Sequence, residues 1–233
     1  MVYIRQFITH VVSHKDSDTV KKQTRMVLAI DETDGQKALK IVEEVAEYID
    51  AVKINWPLVL SEGPEMITKL SKYTDVICDF KVADIPNTVS LIVSNAVKRG
   101  AAAVIVHAFT GDDSLKAAVE AAGDADIYAV TEMSHPGGKM FTAKHAEEMA
   151  RLGVECGAKG FIAPATRPER IAAIREIIGD RLILSPGVGA QGGSASSAIK
   201  AGADYVIVGR AIYKADDPKA VAKSICEEIK TVL

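Results

Sequence analysis

Asp79-Phe80-Lys81-Val82-Ala83-Asp84 places three charges at the end of an apolar run that includes Val76, Ile77 and Cys78. In an extended strand residues two apart share a face, so Asp79 and Lys81 are expected to point the same way. A carboxylate and an ammonium directed together into a cleft are costly to desolvate unless each stabilises the other. Such a pair is either a structural ion-pair knot or part of a catalytic array. Asp84 lies beyond the strand, just before Ile85-Pro86, where the chain must turn.

A second group of residues has the character of an anion site. Ser185-Pro186-Gly187-Val188-Gly189-Ala190-Gln191-Gly192-Gly193 holds four glycines, which let backbone N–H groups approach a negatively charged ligand. Val208-Gly209-Arg210 follows one strand later, and the Arg210 guanidinium can clamp a phosphate in bidentate fashion. A phosphorylated small molecule is the expected ligand.

These residues need elements to carry them. From Met26 onward short β-branched runs alternate with amphipathic stretches rich in Ala, Glu and Lys. The expected strands are 26–30, 50–54, 75–80, 103–107, 126–131, 159–163, 181–185 and 204–208. Their apolar runs are nearly continuous, as strands covered on both faces require. Helical stretches intervene, such as 36–48, 88–99, 143–156, 168–178 and 217–231, and Gly100, Gly123, Gly157 and Gly179 read as the ends of four of the chain's helices. Eight such units predict an α/β chain folded as a (β/α)8 TIM barrel. No G-x-G-x-x-G follows the first strand, which argues against a dinucleotide-binding sheet.

In this barrel, functional groups gather where strands end, with phosphate bound by the loops after strands seven and eight. The strand ends read Asp31, Lys53, Asp79/Lys81, His107, Thr131, Pro164, Ser185-Pro186 and Gly209-Arg210, and four of the eight carry charge. Asp31 and Lys53 lie on neighbouring strands and are expected to be able to pair. The charges sit directly after apolar runs, which points to an active site.

Composition closes off other classes. The 233 residues are 48% hydrophobic with a net charge of −3, enough for a large core and without the basic footprint of a nucleic-acid binder. Cys78, Cys156 and Cys226 are widely spaced and form no C-x-x-C, so neither a disulfide framework nor a zinc knuckle is expected; a reducing cytoplasm fits best. No apolar run has the length of a membrane span. Residues 1–24 read as a short packing helix plus a polar connector to the barrel domain at 25–233, since Tyr3, Ile4, Phe7, Ile8, Val11 and Val12 recur at a spacing near four.

The segments Leu28-Ala29-Ile30-Asp31, Val52-Lys53-Ile54, Asp79 through Pro86, Thr131-Glu132-Met133-Ser134-His135-Pro136-Gly137, the glycine-rich loop and Val208-Gly209-Arg210 together resemble orotidine 5′-monophosphate decarboxylase of the short, archaeal type. The resemblance covers about residues 25–233. The D-x-K-x-x-D element is shared with sister decarboxylases and aldolases; the loop at 185–193 and the Met133-Ser134-His135-Pro136 segment are more specific.

The resemblance implies conversion of orotidine 5′-monophosphate to uridine 5′-monophosphate and carbon dioxide in de novo pyrimidine synthesis, with no metal and no organic cofactor. It implies that Lys81 stabilises the carbanion-like C6 and protonates it, with Asp79 near the departing carboxylate. Asp31 and Lys53 would contact ribose hydroxyls. Ser134 would read the pyrimidine edge, Gln191 would bridge phosphate and base, and Arg210 would clamp the phosphate. Pro186, Val188, Gly189 and Gly209 belong to the same substrate-binding set. Asp84, with Ile85 and Thr88, would reach the neighbouring subunit's site, which implies a homodimer. The glycine-rich loop would act as a mobile lid.

Other residues have plainer readings. Ser134-His135 is not a hydrolase dyad, because adjacent residues seldom orient for proton transfer. His107 is expected to be a hydrogen-bonded core or supporting residue. Trp56 is expected to pack beside Pro57, and Cys78 to be inert packing on the face opposite Asp79. Asp112-Asp113 and Asp216-Asp217 read as acids at helix N-termini. The enzymatic rival is a metal-dependent sugar-phosphate decarboxylase or aldolase sharing D-x-K-x-x-D, which the two lysines beside the acids disfavour by charge count. A dimeric phosphate-ligand binder is the non-enzymatic rival; it would have no need of Asp79, Lys81 and Asp84.

Overall fold

Eight parallel strands close into a barrel in sequence order in a computed structural model that describes residues 19–233. They are β1 (Met26–Ile30), β2 (Ala51–Ile54), β3 (Asp75–Val82), β4 (Ala103–His107), β5 (Asp126–Val130), β6 (Gly160–Ile162), β7 (Leu182–Val188) and β8 (Tyr205–Val208). β8 returns to β1 with Val27 opposite Ile207 and Leu28 opposite Val208, so the sheet has no free edge. The expected (β/α)8 barrel is the observed fold.

Alternation along each strand divides the core. Val27, Ala29, Ile77, Ile105, Tyr128, Leu184 and Ile207 fill the barrel interior. Leu28, Ile30, Val52, Val76, Val104, Ile183 and Val206 face outward against the helices. That double coverage is why the strand sequences lack polar alternation.

The helices are α1 (Gly35–Val45), α2 (Trp56–Glu62), α3 (Glu65–Leu70), α4 (Pro86–Lys98), α5 (Asp112–Ala122), α6 (Ala146–Cys156), α7 (Pro168–Ile178), α8 (Ala195–Lys200), α9 (Arg210–Tyr213) and α10 (Pro218–Lys230). Gly63-Pro64 splits the helix after β2 into α2 and α3, and the short α9 precedes α10 after β8. The expected helix 36–48 tightens into a 3-10 turn at Ala46–Tyr48, and the expected 143–156 begins with another at Thr142–His145. Gly157 ends α6 in the left-handed region at φ 90°, returning its N–H to Gly153 and Val154 carbonyls. Asp217 caps α10 through the Ala220 N–H, as its placement predicts.

Residues 19–25 close the base of the barrel, opposite the strand ends where chemistry is expected. Asp50 accepts N–H groups of Gln23, Thr24 and Arg25 at 2.8–3.0 Å, and Asp75 accepts that of Lys21 at 3.2 Å. Tyr205 donates its hydroxyl to the Val20 carbonyl at 3.1 Å, and Val20 packs into the barrel floor. The end of the expected connector is thus a strap held by aspartates at strand starts; the packing helix expected before it lies outside the described residues. Among the described residues no helix is long and apolar enough to cross a membrane.

Candidate active site

The charged centre is built by β2 and β3. Lys53 lies opposite Ala29 of β1 and Ile77 of β3, at interior-facing positions, which turns its side chain into the barrel mouth. Its Nζ donates to Asp79 Oδ2 at 2.6 Å, and Lys81 Nζ approaches both Asp79 oxygens at 2.8 Å. Asp79 and Lys53 are buried and Lys81 is half-buried.

Strict alternation would have put Asp79 and Lys81 on one face of a regular strand. They do meet, but by another route. The register of β3 against β4 shifts between Cys78 and Val82, and Lys81 adopts φ 44°, a left-handed conformation rare for a side-chain-bearing residue. A bulge of this kind re-aims a side chain at the cost of about 1–3 kcal/mol of local strain, which the ion pair helps to offset.

Burial alone would raise the pKa of Asp79, yet the two ammonium groups outweigh it and hold the carboxyl below its ordinary value. Cys78, on the other face, is buried, and burial pushes its thiol up to about 12, so it is inert as expected. His107, at the end of β4, is pushed down to about 4, first by burial and then by the Lys81 cation. Its Nδ1 has no hydrogen-bond partner among the described residues, and its ring rests against Phe109 at 4.7 Å. The expectation of a hydrogen-bonded His107 is therefore corrected: the ring is held by packing.

Above this centre lies a cavity of about 210 Å³, lined by Asp31, Lys53, Asp79 and Lys81 at one end and Gln191, Gly209 and Arg210 at the other. Ser134, Pro186 and Val188 also line it, and Gly189 sits between the lining residues Val188 and Ala190. The strand β7 continues through Val188, so only the residues after it form the loop; Gly189 and Gly193 close it with an N–H to carbonyl bond of 2.9 Å. The proposed lid is thus shorter than 185–193, because Ser185 to Val188 are held in the sheet.

Asp31 is exposed and makes no ion pair among the described residues; Lys53 binds Asp79 instead of Asp31. The reason is solvation: Asp31 can remain hydrated, whereas the buried Asp79 needs a cation. Asp84, Ile85 and Thr88 line none of this cavity. They sit at the start of α4, with Ile85 66% exposed and the Asp84 carboxylate turned back to the Ile85 N–H at 2.7 Å. Trp56 stacks on Phe80 at 4.5 Å and donates its indole N–H to the Phe80 carbonyl.

Two polar side chains of the lining, Asn55 and Glu132, are not among the site residues expected from the sequence. Asn55 caps α2 through the Trp56 N–H at 2.7 Å and faces the cavity. Its position directly after β2 was the available signal. Glu132 is buried in the cavity wall with Arg167 at 2.7 Å and Arg170 at 2.9 Å. The arginines lie beyond the next strand, so only its place at the end of β5 could have marked it.

Residues 24–225 match the sequence profile of the Orotidine 5′-phosphate decarboxylase / HUMPS family. The chain belongs to this family. It is 55% identical over 217 residues to the orotidine 5′-phosphate decarboxylase of Methanosarcina mazei, covering 92% of this chain and 99% of that protein. The Thermococcus kodakarensis enzyme of the same name is 46% identical over 215 residues, covering 91% and 100%. Among solved structures, the Methanocaldococcus jannaschii orotidine 5′-monophosphate decarboxylase complexed with inhibitor BMP is similar at a TM-score of 0.84 and 43% identity, covering 88% of this chain and 97% of that one. The family's decarboxylases and the present chain thus share the barrel along nearly its whole length.

Proposed function

We propose that this chain is an orotidine 5′-phosphate decarboxylase, converting orotidine 5′-monophosphate to uridine 5′-monophosphate and carbon dioxide. The observation that carries the reading is one buried carboxylate, Asp79, held between Lys53 and Lys81 at one end of a cavity whose other end is Arg210. Phosphate at Arg210, Gly209 and Gln191 positions the nucleotide, Ser134 reads the pyrimidine edge, and Asp31 and Lys53 take the ribose hydroxyls. Pro186, Val188 and Gly189 wall the same site.

Breaking the bond from C6 to the carboxylate leaves the electron pair on C6 as carbon dioxide departs. The Lys81 ammonium stabilises that charge and then delivers the proton that completes the product. Asp79 fixes the ammonium in place beforehand, so little reorganisation is needed as charge develops. Both Asp79 oxygens are engaged by ammonium groups, which supports this reading over a divalent-metal site. Binding energy from the remote phosphate is available to drive closure of the loop after Val188.

The active unit is a homodimer in which Asp84, Ile85 and Thr88 complete the neighbouring site. Support comes from their position outside the cavity of their own chain, and from exposed apolar side chains in and near the loops after β3, β4 and β5: Ile85, Leu91, Phe109, Met140 and Phe141. Such a concentration of exposed apolar surface marks an interface. We place the enzyme in a reducing cytoplasm, consistent with three free, buried cysteines.

Loss of orotidine 5′-monophosphate ultraviolet absorbance, with uridine 5′-monophosphate as product, tests the assignment. A folded protein that leaves the nucleotide unchanged would refute it.

A further inference from the structure

Glu132 is 1% exposed at the end of β5, and both of its carboxylate oxygens are taken by guanidinium groups. Arg167 Nε donates to one oxygen at 2.7 Å and Arg170 Nε to the other at 2.9 Å. A buried ion pair contributes little net stability compared with apolar residues of the same volume, so stability alone does not account for the cluster. Its geometry points elsewhere.

Arg167 has a second contact, donating an Nη2 proton to the Met133 carbonyl at 2.6 Å. From the other side, the Met133 N–H donates to Thr142 Oγ1 at 3.2 Å, and that hydroxyl donates to the Gly138 carbonyl at 2.9 Å. A side chain at Gly138 would bring a Cβ to 2.4 Å from the Met133 carbonyl oxygen, so the turn is packed against that same peptide. The backbone of Met133 is therefore gripped on both its N–H and its carbonyl.

Ser134 follows directly, lines the cavity, and makes no side-chain hydrogen bond among the described residues. Its hydroxyl is aimed by the backbone that carries it rather than by partners of its own. We infer that Glu132 is a positioning residue for Ser134, acting through Arg167 and the Met133 carbonyl to hold the hydroxyl that reads the pyrimidine. The inference rests on the base-reading role proposed for Ser134. The planar Arg167 guanidinium spans Glu132 through Nε and the Met133 carbonyl through Nη2 at once, a fixed two-point geometry.

A double-mutant cycle on turnover of orotidine 5′-monophosphate tests it, with wild type, Glu132→Gln, Ser134→Ala and the double variant, and melting temperature recorded for each. Glu132→Gln lowers kcat/KM by about tenfold or more in the wild-type background and by less than about twofold once Ser134 is already Ala. Inhibition by ribose 5-phosphate, which offers sugar and phosphate but no base, stays within about twofold of wild type. A general loosening of the site would shift that inhibition as well.

Additive losses would overturn the inference. Full activity of Ser134→Ala would overturn the base-reading role and the inference with it, whereas a silent wild type would defeat the decarboxylase assignment itself. Should Glu132→Gln fail to fold, Arg167→Met leaves Glu132 paired with Arg170 and removes the bond to Met133. The same coupling to Ser134→Ala is expected there, and its absence counts equally against the proposal.

Discussion

Replacing Asp79 by Asn preserves the shape of the side chain and removes the carboxylate between two ammonium groups. The consequence falls unequally on its partners. Lys81 keeps 31% of its side-chain surface exposed and can turn toward water, whereas Lys53 keeps 7% and cannot. Stripping one partner from a buried ion pair costs about 3–5 kcal/mol, because the other charge is left without compensation. The Asn carbonyl still accepts one hydrogen bond and Lys81 can hydrate, so about 3 kcal/mol is expected near neutral pH.

Urea unfolding followed by circular dichroism measures that gap, provided both proteins show the same dependence on denaturant. Its pH dependence is equally diagnostic. Since the folded Asp79 carboxyl lies below its ordinary value, the unfolded state takes up its proton first as pH falls. The stabilisation is then fully present above the ordinary carboxylate range and is lost only as pH drops through the lowered folded value. The gap between wild type and Asp79→Asn should therefore hold steady from pH 7 to about 5 and close only in stronger acid. A gap under about 1 kcal/mol at pH 7 would refute the reasoning. So would a gap that widens on acidification, because burial would then outweigh the two cations.

Mixing Asp84→Ala subunits with Lys81→Ala subunits, each inactive alone, should restore about a quarter of wild-type activity, since half of the dimers are mixed and each has one intact site. No recovery with verified heterodimers would exclude site sharing. His107 gives a second pH signature: its folded pKa of about 4 lies below the ordinary 6.5, so the neutral ring is favoured and stability is lost as pH falls from 6.5 toward 4. Allowing for the ring's partial exposure, that loss is about 1–2 kcal/mol, and it should vanish in His107→Gln; an unchanged slope in the variant would remove His107 as its source.

The barrel and its charged strand ends were legible because both obey short periods. Continuous apolar runs signalled strands covered on both faces, and charges directly after them signalled the functional rim. What escaped depends on tertiary geometry. Alternation foresaw that Asp79 and Lys81 meet but not the left-handed Lys81 that brings it about, since a bulge is set by pairing with β4. Lys53 was expected to be able to pair with Asp31, yet burial decides the partner, and burial cannot be read from strand adjacency. Glu132 stayed hidden because its two arginines come from the segment after β6. The continuation of β7 through Val188 was obscured by its glycine and proline, which read as loop although the sheet holds them.

Turnover of orotidine 5′-monophosphate by wild type and Lys81→Ala in excess EDTA tests the central claim most directly. Wild type should produce uridine 5′-monophosphate without added metal. Lys81→Ala should lose at least about 10⁴-fold in kcat, the combined loss of proton donor and electrostatic stabiliser. It should still bind uridine 5′-monophosphate within about tenfold of wild type. An active Lys81→Ala protein would contradict the mechanism, and a folded wild type silent in EDTA but active on a sugar phosphate with magnesium would contradict the assignment.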